Sequence, residues 1–330
     1  MTIIAEAGVN HNGSLDTAIQ LADKAAEAGA DYVKFQTFHA ERLVTAESVT
    51  ADYQRRNCQG SSQLKMLRRL QLTEKDFETI ASHCSGIGIK FLSTPFDIES
   101  IDLLTDIGID VMKVPSGEIT NLPYLRAIGK TKLPVILSTG MSTLADIDSA
   151  LRMLCEAGTP RDSITLLHCN TEYPTPFADV NLKAMTALRE AFSLPVGYSD
   201  HTVGIEVPIA AAALGATVIE KHFTLDKKSA GPDHSASLSP EELKVMVNTL
   251  HNVEIAMGNP FKSPTPSESR NISVARRSIV AACHIRKGEP FTERNLTCKR
   301  PGDGLSPMLW DIVIGAVAPC DFLPDQKIHL

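Results

Sequence analysis

Polar and ionisable side chains recur along residues 6–222, each group directly after a short β-rich run. Strand ends selected for packing alone would not require Lys, Glu and His so regularly. The pattern therefore predicts one polar site, built where several strands end. The groups are, in chain order, Glu6, Asn10 and His11; Lys34 and Gln36; Ser93 and Thr94; Lys113, Ser116 and Glu118; Ser138 and Thr139; His168, Asn170 and Thr171; Ser199, Asp200 and His201; and Glu220 and His222.

Two of these groups contain a lysine, and small hydroxyl side chains stand in the neighbouring groups. Ammonium groups supply positive charge, while Ser and Thr hydroxyls and backbone N–H groups complete the hydrogen bonds of anionic oxygens. Lys34 and Lys113 therefore indicate a site for phosphate or carboxylate. The alternative is that they form interior ion pairs with Glu6 or Glu118, and the two interpretations are compatible.

Two histidines, His201 and His222, end what we predict to be adjacent strands. Two converging imidazoles can hold one divalent ion, with water and substrate in the other positions. The alternative is structural, with Asp200 capping a helix and His222 hydrogen-bonded in the core. We expect His11 and His168 to be scaffold or substrate contacts rather than metal ligands.

Eight β-rich runs alternate with helical patterns and would bring these groups together. Helix-like stretches occur at 14–28, 74–85, 143–157, 203–214 and 240–257, several of them followed by a glycine. Eight β-then-α units predict an α/β fold, a (β/α)8 TIM barrel over residues 1–258. A doubly wound sheet is the rival, although it usually has fewer strands per domain. The predicted strands are 2–7, 32–35, 90–93, 111–114, 135–138, 165–168, 196–198 and 218–222.

The chain changes character after residue 258. Residues 259–272, NPFKSPTPSESRNI, are rich in proline and hydroxyl residues and predict a linker. Residues 273–330 predict a small module of short strands and turns, which is expected to lean on a larger surface.

Charge and composition narrow the function classes. Residues 259–330 contain ten Lys and Arg against seven Asp and Glu, a charge of +3. Since the net charge of the chain is −7, residues 1–258 carry −10. An acidic body argues against nucleic acid as the main ligand. Seven cysteines without a CxxC motif fit a reducing cytosol, and neither a signal peptide nor a membrane span is expected. The chain has no P-loop, GxGxxG or GxSxG motif to indicate a nucleotide site or a hydrolase.

Ten segments, taken together and in order, resemble the sialic acid synthase family: AEAGVNHNGS, VKFQTF, FLSTPFD, KVPSGEITN, ILSTGM, LLHCNTEYPTP, GYSDHT, EKHFTLD, GPDH and KRPGDG. The similarity covers nearly the whole chain. It includes the C-terminal module, which resembles the antifreeze-like (SAF) domain of these enzymes. The resemblance implies a cytoplasmic transferase that condenses phosphoenolpyruvate with an open-chain N-acylated amino sugar and releases phosphate.

The resemblance also implies roles for particular residues. Glu6 matches the acid beside the reacting carbons, and His201 and His222 match the ligands of a divalent metal such as Mn²⁺, Mg²⁺ or Co²⁺. Arg300 matches an arginine that reaches the sugar's N-acyl group from the partner subunit of a domain-swapped homodimer. Positions that hold phosphoenolpyruvate are matched by Lys34, Thr94, Lys113, Ser116, Ser138, Ser199 and either Thr171 or Asn170. Sugar contacts are matched by Gln36, Glu118, Tyr173 and Asp233.

Several alternatives stay open from the sequence. A Schiff-base pyruvate aldolase could use Lys34 or Lys113, and a sugar-phosphate synthase would need a second phosphate site, for which no arginine-rich segment is visible. A non-enzymatic carbohydrate- or ice-binding protein would leave the polar ring unexplained. The acceptor is N-acetylmannosamine or 2,4-diacetamido-2,4,6-trideoxymannose. The insert at 40–72 and the stretch at 229–243 favour the second, legionaminate-type sugar.

Overall fold

Eight parallel strands form one sheet in the computed structural model, which describes residues 1–50 and 62–330. Cys58 and the middle of the predicted insert at 40–72 lie outside the described residues. Each strand lies on a predicted one, and no boundary differs by more than two residues. The strands are β1 Thr2–Gly8, β2 Tyr32–Thr37, β3 Lys90–Pro95, β4 Met112–Val114, β5 Val135–Ser138, β6 Ile164–Cys169, β7 Val196–Asp200 and β8 Val218–His222.

The sheet curls into a nearly closed barrel. Its strands follow the order β3-β2-β1-β8-β7-β6-β5-β4, and β3 and β4, at the two ends of this order, lie against each other. This confirms the predicted (β/α)8 architecture. Helices of the barrel unit lie at Leu15–Ala28, Ala40–Leu43, Gln63–Leu70, Glu74–Ile87, Ile98–Ile107, Leu122–Lys130, Leu144–Ala157, Lys183–Phe192, Glu206–Ala213 and Pro240–Met257.

Local capping chemistry sets the helix boundaries. Ser239 accepts a hydrogen bond from the N–H of Glu242, whose carboxylate accepts from the N–H of Ser239. Gly29 ends the first helix in the left-handed conformation, with φ of 84°. The helix predicted at 203–214 begins later, at Glu206, because Gly204 adopts φ of 86° and turns the chain before it.

The barrel interior is built in layers. An apolar floor fills its lower part, formed by Ile4, Leu92, Val111, Ile136, Leu167 and Val218. Because side chains alternate along a strand, the residue two positions further on points into the same interior, one step nearer the carboxyl end. Those positions carry Glu6, Thr94, Lys113, Ser138, Cys169 and Glu220, so a polar layer lies directly on the apolar floor.

A second compact unit, Asn259–Leu330, follows the barrel unit Met1–Gly258. It contains the antiparallel strands β9 Ser278–Ala281 and β10 Leu296–Lys299 and the short helix Trp310–Val313. Its small apolar core is formed by Ile279, Ala281, Ile285, Phe291, Leu296, Val313, Ala318, Phe322 and Ile328.

A helix at Pro266–Ala275 occupies part of the segment predicted as a linker. Thr265 and Glu268 form a capping box at its start, and Pro266 stands in its first turn. The prediction of an irregular linker missed this helix because the segment has no apolar periodicity. None of the helices in residues 1–50 and 62–330 combines the length and the hydropathy needed to cross a membrane.

Candidate active site

Four charged side chains meet on the apolar floor of the barrel. Lys34 Nζ lies 3.0 Å from Glu6 Oε2 and 3.6 Å from Glu220 Oε1. Lys113 Nζ lies 3.4 Å from the same oxygen of Glu220. All four side chains are buried. The predicted interior ion pair with Glu6 is therefore present, whereas the pairing with Glu118 is wrong: Glu118 accepts from Asn121 Nδ2, and Glu220 takes its place.

Burial and charge divide the roles of the two carboxyl groups. Burial raises the pKa of Glu6, and the nearby Glu220 raises it further against the opposing effect of Lys34. Burial acts in the same direction on Glu220, but Lys113 and Lys34 outweigh it and lower the pKa of that group. Glu220 therefore holds the negative charge more firmly than Glu6 does.

The two lysines also differ. Burial acts to lower the pKa of Lys34, but Glu220 and Glu6 outweigh it and raise the pKa above its usual value. Lys113 keeps a lowered pKa because burial exceeds the effect of Glu220, and Lys34 adds a like charge. Lys34 is consequently the more securely protonated cation of the pair.

Hydroxyl groups surround these ammonium groups at hydrogen-bond distance. Lys34 Nζ donates to Thr94 Oγ1 at 3.0 Å, and Lys113 Nζ donates to Ser138 Oγ at 2.9 Å. Ser199 Oγ donates to Glu220 Oε1 at 3.0 Å. Ser116 Oγ accepts from the N–H of Gly140 at 2.9 Å and lies 3.2 Å from Cys169 Sγ. The arrangement offers two cations and several hydroxyls to one anionic ligand.

Two imidazoles stand beside this group, with ring centroids 5.4 Å apart. His201 Nδ1 lies 2.5 Å from the carbonyl oxygen of Asn170, which can only accept, so Nδ1 carries the hydrogen and Nε2 keeps its lone pair. Burial lowers the pKa of His201 to about 4. Burial and the neighbouring His201 lower the pKa of His222 well below its usual value. Both rings are therefore neutral, the state that binds metal.

The surroundings of His222 add a third polar group. His222 Nδ1 is buried without a hydrogen-bond partner among the described residues and lies 4.0 Å from Asp233 Oδ2. Burial raises the pKa of Asp233 to about 7. Tyr173 packs on both imidazoles, at centroid distances of 4.1 Å to His201 and 5.5 Å to His222. Within the described chain, no set of three or more His, Cys, Asp or Glu side chains is arranged to hold a metal ion.

A cavity of about 370 Å³ opens above this charged network, which forms the floor of the cavity. The barrel-unit residues to which the family resemblance assigns a role line it, with Thr171 and not Asn170 from the loop after β6: Glu6, Lys34, Gln36, Thr94, Lys113, Ser116, Glu118, Ser138, Thr171, Tyr173, Ser199, His201, His222 and Asp233. Arg300, the remaining predicted site residue, is exposed in the second unit, directly after β10. The strand ends therefore converge as the sequence predicts.

The loop after β6 separates the two residues that the sequence left as alternatives. Asn170 Oδ1 accepts from the N–H of Glu172 at 2.8 Å, so its side chain is engaged in the loop itself. Thr171 lines the cavity and Asn170 does not. His11 and His168 also lie outside the cavity lining; His168 Nε2 donates to the carbonyl oxygen of Val180 at 2.9 Å, which makes it scaffold.

Two features of the site were not predicted from the sequence. One is an apolar side of the cavity, to which Leu43, Val44 and Met66 contribute from outside the described barrel strands. The other is Lys221, whose fully buried ammonium group lies 2.5 Å from Asp200 Oδ2 and from the carbonyl oxygen of Thr202. The EKH motif contained the signal for Lys221, because a lysine inside a strand buried on both faces needs an acidic partner.

This ion pair lies behind the two histidines. Asp200 precedes His201 on β7, and Lys221 precedes His222 on β8. Because successive side chains point to opposite faces, Asp200 and Lys221 face the helix layer while the histidines face the cavity. The pair therefore ties β7 to β8 at the level where the two imidazoles are presented.

The fold and the site together define a (β/α)8-barrel protein. Its cavity has a floor of two lysines and two glutamates, and a histidine pair stands at its strand ends. Residues 21–262 match the NeuB family, and residues 276–329 match the SAF domain. The chain belongs to the NeuB family.

Several of its relatives are named as synthases. The chain is 51% identical over 328 residues to the N,N'-diacetyllegionaminic acid synthase of Campylobacter jejuni, covering 99% of this chain and 98% of that protein. It is 45% identical to the protein of the same name from Legionella pneumophila, over 95% and 89% of the two chains. The crystal structure of the N-acetylneuraminic acid synthetase from Leptospira borgpetersenii in complex with citrate has a TM-score of 0.73 at 33% identity, covering 82% of this chain and 89% of that one. These matches confirm the predicted family resemblance.

Removing the Lys221 ammonium group should destabilise the barrel strongly. We expect Lys221→Met to lower the free energy of unfolding by about 3–5 kcal/mol, because it leaves the Asp200 carboxylate buried without its counter-charge. Lys90→Met is the matched control: Lys90 pairs with Asp110 at the surface and should contribute only about 0–1 kcal/mol. Urea unfolding followed by circular dichroism measures both, and equal effects of the two substitutions would contradict the interpretation.

Proposed function

We propose that this protein condenses phosphoenolpyruvate with an open-chain N-acylated amino sugar of the N-acetylmannosamine type, releasing phosphate and forming a nonulosonic acid. It would then be a transferase. One observation carries the proposal: a pair of buried lysines and a pair of neutral histidines line the same cavity. Two relatives are named as synthases of N,N'-diacetyllegionaminic acid, which is such an acid, and this supports the choice of substrates.

Phosphoenolpyruvate carries a carboxylate and a phosphate, and the floor offers donors for both. Lys34 and Lys113 supply the positive charge, and Ser and Thr hydroxyls supply further hydrogen bonds. In the loop after β6 we assign the contact to Thr171, because the Asn170 side chain is engaged in the loop and Thr171 lines the cavity. The remaining hydroxyl ligands in this assignment are Thr94, Ser116, Ser138 and Ser199.

The residues present fit a divalent metal ion. His222 Nδ1 is a buried nitrogen without a hydrogen-bond partner among the described residues, and His201 Nε2 keeps a lone pair. With only two imidazole ligands, water and a substrate oxygen would complete the coordination of Mn²⁺, Mg²⁺ or Co²⁺. A bound ion supplies Lewis-acid polarisation of the aldehyde oxygen of the sugar.

Carbon–carbon bond formation begins at C3 of phosphoenolpyruvate, which forms a bond to the aldehyde carbon while the aldehyde oxygen takes up a proton and becomes a hydroxyl. Positive, oxocarbenium-like charge develops at C2, and the Glu6 carboxylate stabilises it. Water adds to C2 and loses a proton. The C2–O bond to phosphate then breaks while the C2 hydroxyl transfers its proton to the departing phosphate, leaving a 2-keto acid and inorganic phosphate.

The sugar would lie above phosphoenolpyruvate, within reach of the polar side chains nearer the mouth of the cavity. We assign these contacts to Gln36, Glu118, Tyr173 and Asp233, all of which line the cavity. We further propose that the partner subunit's Arg300 completes the site in a domain-swapped homodimer. The family resemblance and the charge of the C-terminal segment, positive against an acidic body, support this part of the proposal.

One observation favours a second function, a Schiff-base pyruvate aldolase. Burial lowers the pKa of Lys113, and a lowered pKa is what an amine nucleophile requires. Borohydride treatment in the presence of pyruvate, followed by mass spectrometry, separates the two functions. A synthase of the proposed kind forms no covalent adduct, whereas an aldolase is trapped at the lysine.

Glu6→Gln should lower kcat about 10²–10³-fold, because the substitution removes the negative charge next to C2 but keeps the size of the side chain. The KM for phosphoenolpyruvate should change little, since Lys34 keeps Glu220 as a partner. Phosphate release measures both constants. Glu190→Gln, an exposed substitution on an outer helix, is the control, and near-normal turnover of Glu6→Gln would contradict the role of Glu6.

Chelation with EDTA should abolish phosphate release, and added Mn²⁺ should restore it. Titration with Mn²⁺ followed by electron paramagnetic resonance measures binding independently of turnover. We expect His222→Gln to weaken Mn²⁺ binding at least 10-fold, because one of two protein ligands is lost. His251→Gln, an exposed substitution on the last barrel helix, should leave binding unchanged. Equal Mn²⁺ affinity of the wild type and His222→Gln would remove the histidine site.

Mixed dimers test whether the partner subunit's Arg300 completes the site. Arg300→Ala and Glu6→Gln should each be nearly inactive alone. Co-expression should restore about one quarter of wild-type activity, since half of the dimers are mixed and each contains one intact shared site. Two affinity tags isolate the mixed dimers. If Arg300 acted within its own chain, the mixed dimers would stay inactive.

A further inference from the structure

One side of the cavity is apolar, unlike its floor. The described residues of segment 40–70 that line it are Leu43, Val44, Gln63, Met66, Leu67 and Leu70, and only Gln63 among them is polar. We call this set the apolar wall. Leu67 and Leu70 are buried in the segment's own core, whereas Leu43, Val44 and Met66 are half-buried and keep apolar surface at the cavity.

The apolar wall is separate from the histidine pair. It packs with Val9, Phe38 and Phe96, which directly follow β1, β2 and β3. The histidines belong to the ends of β7 and β8, on another part of the barrel rim. A ligand whose reacting end lies at the histidines and the charged floor would therefore place a different part against the wall.

Local contacts hold the wall in place. The helix Gln63–Leu70 begins at Ser62, whose side chain accepts from the N–H of Lys65. Arg68 Nε donates to Glu41 Oε1 at 2.7 Å, and the N–H of Ala40 donates to Gln71 Oε1 at 3.0 Å. These contacts join the two short helices that carry the wall, so its apolar side chains are positioned before a ligand binds.

The charges near the apolar wall indicate that the acceptor sugar carries no phosphate there. Lys34 and Lys113, both on the floor, are the only Lys or Arg side chains among the described residues that line the cavity. The described cationic residues of the wall segment, Arg42, Lys65, Arg68 and Arg69, are exposed and do not line it. A phosphate on the acceptor sugar would find no counter-charge at the described part of the wall.

We infer that the apolar wall selects an acceptor that turns methyl groups toward it, namely a 6-deoxy, doubly N-acetylated hexose rather than N-acetylmannosamine. This inference rests on the proposed function. A 6-deoxy methyl group and an acetamido methyl group would bury their apolar surface against the wall. The hydroxyls that N-acetylmannosamine carries in their place would lose water without gaining a hydrogen-bond partner from Leu43, Val44 or Met66.

The experiment compares kcat/KM for 2,4-diacetamido-2,4,6-trideoxymannose and for N-acetylmannosamine, measured by phosphate release at saturating phosphoenolpyruvate. Apolar pockets discriminate single methyl-sized differences about 10–200-fold, so we expect the wild type to prefer the 6-deoxy sugar within that range. Val44→Thr and Met66→Gln keep the size of each side chain and add a polar group. Each should reduce the preference about 5–10-fold by raising the KM for the 6-deoxy sugar. The KM for phosphoenolpyruvate should stay unchanged.

Two matched substitutions serve as controls. Val49→Thr changes an exposed valine of the same segment that does not line the cavity, and Met257→Gln changes an exposed methionine at the end of the last barrel helix. Both should leave the preference unchanged. Circular dichroism and the unfolding midpoint establish that all four variants are folded.

The outcomes separate the inference from the proposed function. Phosphate release with both sugars at similar kcat/KM, or equal changes for both sugars in Val44→Thr and Met66→Gln, would overturn the role of the wall and leave the synthase function standing. A preference for N-acetylmannosamine would also overturn it. Absence of phosphate release with either sugar in the presence of Mn²⁺ would overturn the proposed function and the inference together.

Discussion

The candidate site depends on the buried network of Glu6, Lys34, Glu220 and Lys113. Its charges balance, and each lysine lies within 4 Å of at least one carboxylate oxygen. Removal of Glu220, the carboxylate that both lysines share, would leave buried positive charge uncompensated, which is far less favourable than the intact network. An arriving anion must share the same two cations. Because its pKa is raised, Glu6 gives up its negative charge by protonation more readily than Glu220 does. The lysines can therefore pair with an anionic ligand while Glu220 remains their counter-charge.

The alternation of strand side chains explains how a barrel tolerates this network. Glu6, Lys113 and Glu220 each stand two positions after an apolar floor residue of the same strand, and Lys34 stands two positions after Tyr32, which packs against that floor. The charges therefore rest on packed side chains and face the cavity. The same alternation on β7 and β8 places Asp200 and Lys221 on the outer face and His201 and His222 on the inner face. Stability and chemistry are therefore carried by adjacent residues of the same two strands.

Much of this could be predicted from the sequence, because strand periodicity, helix caps and the glycine at position 29 are local signals. The partner of Lys113 could not be predicted in the same way. Glu118 stands close to it in sequence, but Glu220 reaches it across the barrel interior from β8, on the opposite side of the barrel. The helix Pro266–Ala275 was missed because only its capping box marks it. The apolar wall was missed because its residues meet the cavity through tertiary packing and not at a strand end.

The separation between floor and wall has a consequence for specificity within the family. Relatives of this chain are named for different products, including legionaminic, pseudaminic and neuraminic acid derivatives. The residues proposed to bind phosphoenolpyruvate lie largely on strands that also form the barrel core, where a change of side chain disturbs packing on both faces. The wall packs in a small apolar cluster of its own, distinct from the main core and from the floor. Under the proposed function, a substitution in the wall would alter the surface that meets the sugar while the charged network below keeps its geometry, so the acceptor would change without a change in the reaction.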